Sequence, residues 1–142
     1  MSKERILITG VSSGLGHGLA KSYLEMGAEV YGCSRRSPID LVEMGLNFCD
    51  LDIAQQIESE PKFRAWIQEL KSFDLVILNA GILGKIKDMQ ECSMDELKET
   101  MEVNLWANKW ILDSCFAEGR KIKQVVGISS GASLSGSRGW NG

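Results

Sequence analysis

The sequence holds one histidine, His17, and four cysteines, Cys33, Cys49, Cys92 and Cys115, with no C-x-x-C pair among them. One imidazole with scattered thiols does not make a zinc site, so no metal is expected. His17, flanked by glycines on a predicted helix, reads as a surface residue and not as a catalytic base. The cysteines read as reduced thiols, which points to the cytoplasm and away from a disulfide framework. No apolar run approaches the ~20 residues that span a bilayer, so a membrane partner is excluded. Met1-Ser2-Lys3-Glu4-Arg5 leads into a strand with no apolar secretory segment. With 16 basic against 19 acidic residues and a net charge of −3, no surface for nucleic acid is expected. Repeats, charge runs and low-complexity blocks are absent as well, and nothing divides the chain into parts.

What is present suits one folded domain over residues 1–142: 44% hydrophobic and 25% charged, which excludes disorder. The informative stretch is Thr9-Gly10-Val11-Ser12-Ser13-Gly14-Leu15-Gly16. It follows Ile6-Leu7-Ile8, a short apolar run that reads as a buried strand. It precedes a predicted helix with apolar residues at Leu15, Leu19, Tyr23 and Met26, stopped by Gly27. Glycines let such a turn close tightly and bring a ligand near the backbone. The N–H groups and dipole at the helix start then attract a diphosphate.

Further strands are predicted at Glu29-Val30-Tyr31-Gly32-Cys33, Leu46-Asn47-Phe48-Cys49, Asp74-Leu75-Val76-Ile77-Leu78 and Gln124-Val125-Val126-Gly127-Ile128. Ser37-Pro38 reads as a loop. Asp52 is placed to cap a helix with Gln55 at the capping-box position, and Pro61 is expected to open a second helical piece. Residues 82–92 read as a loop. Ser93 and Glu96 form a capping box that opens the longest helix, running to about Glu118 and stopping at Gly119. That helix has two apolar faces, and Val103, Trp106 and Trp110 on the second ask for a partner.

Strands alternating with helices predict an α/β fold, a doubly wound Rossmann-type parallel sheet of five strands in the order 3-2-1-4-5 with helices on both faces. Ligand chemistry belongs at the carboxyl ends of those strands. Polar and glycine-rich residues fall there each time: the first turn, Ser34 to Arg36, Asp50, Asn79 to Gly81, and Ser129-Ser130.

These motifs, in this order, resemble the short-chain dehydrogenase/reductase family along the whole chain. Thr9-Gly10-x-x-x-Gly14-x-Gly16 is similar to its cofactor turn, with Ser12, Ser13 and Leu15 inside it. Asp50-Leu51 matches the pair that receives adenine, and Asn79-Ala80-Gly81 matches the element that steadies the sheet beside the cofactor. The resemblance implies a hydride-transferring oxidoreductase of carbonyl and alcohol substrates. It implies that Ser130 positions the carbonyl and that Asn104 holds a water in the proton relay. Ser34-Arg35-Arg36 follows the second strand where an acidic residue would select NAD(H). Guanidinium groups suit a 2′-phosphate, so NADP(H) is the expected cofactor ahead of NAD(H), with Arg35 the better placed of the two arginines.

The family's Tyr-x-x-x-Lys pair is missing. Only Tyr23 and Tyr31 occur, and neither has a lysine four residues on. The expected tyrosine falls just beyond Gly142. The chain therefore reads as the cofactor-binding portion of the enzyme, without the family's last strands and without turnover. Uncovered Trp106 and Trp110 predict a homo-oligomer through helix 93–118. The alternative reading is a non-catalytic dinucleotide-binding or interaction module; the length of the parent reading frame separates the two.

Overall fold

The computed structural model describes residues 3–82 and 88–129. Its centre is a parallel sheet of β1 (Arg5–Thr9), β2 (Glu29–Ser34), β3 (Asn47–Asp50), β4 (Ser72–Leu78) and β5 (Lys121–Gly127). The order is β3-β2-β1-β4-β5, as expected. Ile6, Leu7 and Ile8 of the middle strand are fully buried because helices cover both faces. Ile6 and Ile8 join Val11, Ala20, Val30 and Leu41 under α1 (Gly14–Glu25) and α2 (Ile39–Glu43). Leu7, pointing the other way, joins Phe63, Phe73, Val76 and Ile111 under α3 (Gln56–Trp66) and α5 (Ala107–Phe116).

Several local expectations are corrected. Of the stripe expected to face inward on α1, Leu19 and Tyr23 pack on the core, but Leu15 and Met26 are exposed, and the helix is rotated so that Gly16 and Ala20 are buried. The helix start lies too close to β1 and β4 for a larger side chain to face inward. Ser37-Pro38 leads into the short helix α2, whose Leu41 is buried. Asp52 does not cap a helix. Its Oδ1 accepts from Ala54 N at 3.1 Å in a local turn, and α3 begins four residues later. Pro61 therefore falls inside one continuous helix instead of opening a new one. The carbonyl its missing N–H leaves unpaired is that of Ile57, whose side chain is 92% exposed, so water can satisfy it.

The long helix is also interrupted. The Ser93–Glu96 capping box forms as expected, and α4 (Met94–Met101) follows it. Glu102–Trp106 then widens into a π-turn before α5, and Ala117–Gly119 ends the run as a 3₁₀ turn in which Glu118 has φ of 60°. Of the two tryptophans expected to lack cover, Trp106 is 52% exposed, but Trp110 is buried. Trp110 stacks edge-on against Phe63 of α3, with ring centroids 5.9 Å apart. Behind it, the buried Arg120 donates to the carbonyls of Leu70 (2.8 Å) and Ile67 (3.2 Å) after α3, and of Ser114 (2.9 Å) in α5. One guanidinium thus bridges carbonyls of the segment after α3 and of the last turn of α5 and locks the two together.

Candidate cofactor site

The first turn is fastened from three sides. Gly10 N donates to the Cys33 carbonyl at 2.9 Å, and Asn79 Nδ2 donates to the Gly10 carbonyl at 3.1 Å. The buried Thr9 hydroxyl accepts from the backbone N–H groups of both Asn79 and Ala80, each at 3.0 Å. The turn after β1 and the turn after β4 are therefore one hydrogen-bonded unit. Glycine is required at Gly16, where a Cβ would stand 2.0 Å from the Gly10 carbonyl oxygen. Gly10 itself has φ of 77°, and a Cβ there would press on Ala80.

The start of α1 is left open to a ligand. Ser13 is the N-cap residue, yet its side chain makes no capping hydrogen bond, and the first turn carries no acidic residue. The N–H groups and dipole of the first turn are thus left without a compensating side chain, next to Ser13 at the crevice wall.

That crevice has a volume of about 270 Å³. Its walls bring together Gly10, Ser12 and Ser13 after β1, Ser34, Arg35 and Arg36 at and beyond the end of β2, Leu51 after β3, and Asn79, Ala80 and Gly81 after β4. Gly14, Leu15, Gly16 and Asp50 do not line it: the glycines shape the turn, Leu15 faces solvent, and Asp50 borders an adjoining cleft. The Ser34 hydroxyl donates to the Arg36 carbonyl at 2.6 Å and closes the arginine turn. Arg35 and Arg36 are exposed at the rim.

The structure adds residues that sequence reasoning missed. Ile53 and Ala54 form an apolar wall, because the Asp52 turn aims them into the crevice and away from a helix. Ile82, Val103 and Glu99 line the opposite side. Cys33 lies at the base, its thiol pushed up to about 12 by burial, then by the neighbouring Cys49, so it is no nucleophile at neutral pH.

Asn104 sits within the π-turn, half-buried, with both ends of its amide engaged by Ile82. Oδ1 accepts from Ile82 N at 2.8 Å and Nδ2 donates to the Ile82 carbonyl at 2.7 Å. Its own carbonyl accepts from Asn108 Nδ2 at 3.2 Å. No sequence signal marks this turn, although π-turns gather at functional sites. Ser129 stands past β5 at the same sheet end; Ser130 lies outside the described residues.

The model of the short chain dehydrogenase family matches residues 4–142. The chain belongs to that family. A benzil reductase, (S)-benzoin forming, of Bacillus subtilis (strain 168) is 33% identical to this dehydrogenase-family chain over 145 residues, covering 97% of it and 59% of the relative. The benzil reductase of Bacillus cereus is 30% identical over 149 residues, with 95% and 59% covered. The chain thus spans about three-fifths of the length of these relatives. A solved short chain dehydrogenase from Salmonella enterica serovar Typhi superposes with a TM-score of 0.83 at 23% identity, covering 98% of this chain and 63% of that one. An NADH-dependent reductase, A1-R′, complexed with NAD superposes with a TM-score of 0.79 at 24% identity, with 98% and 64% covered. Among the described residues, no helix is long and apolar enough to cross a membrane.

Proposed function

We propose that this chain is the NADP(H)-binding portion of an oxidoreductase that interconverts a carbonyl and an alcohol. One observation carries the reading. A single crevice is lined at once by Gly10, Ser12 and Ser13 of the turn leading into α1, by Arg35 and Arg36, and by the turn at residues 79–81. Gly10, Ser12 and Ser13 would hold the diphosphate, and the arginines the 2′-phosphate, through charge-assisted hydrogen bonds. Leu51, Ile53 and Ala54 offer an apolar wall to a flat base. When bound, the cofactor supplies or accepts the hydride. Ser130 positions the substrate carbonyl. Asn104 shapes the proton relay through its backbone, since Ile82 occupies its side chain.

The two relatives named benzil reductases favour a dicarbonyl substrate for the whole protein. The 142 residues contain no tyrosine with a lysine four positions on, so this chain alone gives no turnover. Exposed Met101, Leu105, Trp106 and Phe116 along α4 to α5 support self-association, which light scattering at micromolar concentration reads directly.

The deciding test is titration of the chain with NADPH and NADH, followed by cofactor fluorescence. Binding of NADPH in the micromolar range, with clear preference over NADH, is the expected result. Binding of neither cofactor rejects the reading, and equal binding of both rejects the role of Arg35.

A further inference from the structure

An ion pair borders the crevice where α3 passes the end of β3. Lys62 donates to the Asp50 carbonyl at 2.6 Å and to Asp50 Oδ1 at 2.8 Å. Gripping main chain and side chain of one residue fixes the carboxylate's orientation. Oδ1 is thereby taken, and Oδ2 accepts from no other described residue. The lysine also holds the Asp50 carboxyl below its ordinary range, which keeps it an acceptor-only group at neutral pH.

The pair lines a cleft of about 420 Å³ that shares Arg35, Leu51 and Asp52 with the cofactor crevice. An anionic acceptor beside the buried, apolar Leu51 suits the edge of a flat heteroaromatic ring bearing an amino group. Arg35 borders the same cleft and forms no ion pair among the described residues.

We propose that Lys62 is a positioning residue that aims the Asp50 carboxylate at the exocyclic amino group of the cofactor's adenine. The proposal rests on the reading of the crevice as an NADP(H) site. The pair is solvent-exposed, so its loss should cost the fold little, which makes it a clean target.

The test compares NADPH with its hypoxanthine analogue, which lacks the amino group, by fluorescence titration of the full 142-residue chain. The unaltered chain should favour adenine by about tenfold. In Lys62→Met that ratio should fall to within about twofold, with an unchanged thermal midpoint and unchanged preference for NADPH over NADH. Lys62→Arg should restore it. Asp50→Ala should abolish the ratio by itself, and adding Lys62→Met should then change nothing. An undiminished ratio in Lys62→Met overturns the proposal, as does an effect of Lys62→Met that survives in Asp50→Ala. NADPH binding without any adenine preference overturns it alone, whereas no NADPH binding overturns it together with the reading it rests on.

Discussion

The floor of the crevice and its rim are built in opposite ways. The floor is backbone held by two short side chains: the Thr9 hydroxyl and the Asn79 amide join Thr9, Gly10, Asn79 and Ala80 by hydrogen bonds of about 3 Å that bridge some seventy residues of sequence. Thr9 is fully buried, and Gly16 leaves no room for even a methyl group. The rim consists of long, exposed side chains, Arg35, Arg36, Asp50 and Lys62, fixed by at most one ion pair. Changes in the floor should therefore affect folding and binding together. Changes at the rim should alter which ligand is chosen and leave the fold intact.

The strongest challenge to that division is Gly16→Ala. Its Cβ would meet the Gly10 carbonyl at 2.0 Å, and neither backbone can yield without opening the turn. A loss of about 3 kcal/mol in chemical unfolding, with loss of cofactor binding, is expected. Next comes Thr9→Val, which keeps the shape and strands the N–H groups of Asn79 and Ala80. It should cost about 2 kcal/mol, and Thr9→Ser should recover most of it. A neutral Thr9→Val would break the comparison, because the floor would then not depend on that hydroxyl.

At the rim, Arg35→Glu should reverse the preference between NADPH and NADH, with the affinity for NADPH falling about tenfold or more. Its thermal midpoint should stay where it was. Unfolding in this variant would mean that the arginine turn is structural after all.

The cysteines sharpen the division by chemistry. Cys33, Cys49 and Cys115 are buried, and burial pushes the thiols of Cys33 and Cys115 up to about 12. Cys92 is half-exposed. A colorimetric thiol reagent at mildly alkaline pH should therefore label Cys92 quickly and the other three only on unfolding.

The smallest expected effect lies away from the crevice. Asp74 accepts from Arg5 N at 2.7 Å and pairs with Lys123 at 3.0 Å, contacts that hold its carboxyl below the ordinary value. A depressed carboxyl contributes stability above its unfolded pKa and loses it as pH falls through the folded one. Acid titration of Asp74→Asn should show a flatter decline than the unaltered chain over that acid range, with cofactor preference untouched.

The crevice was largely legible in the sequence. Gly10, Ser12, Ser13, Arg35 and Arg36, Leu51, and Asn79 to Gly81 announced themselves by residue type at strand ends, because strand ends in a parallel sheet must meet. Ile53 and Ala54 were hidden because Asp52 reads as a helix cap. A turn made by one aspartate and a cap made by one aspartate begin alike in sequence and diverge only where the backbone downstream does or does not coil. Trp110 was hidden because helical spacing says that a face needs a partner and cannot say which helix provides it.

The order of elements, the parallel sheet and the family follow from the sequence alone, since periodicity and motif spacing are local properties of the chain. The rotation of α1, the continuity of α3 through Pro61, the π-turn at Asn104 and the Arg120 lock do not. Each depends on how closely two distant backbones approach and on which carbonyl is left without a partner. Those distances exist only after the chain has packed.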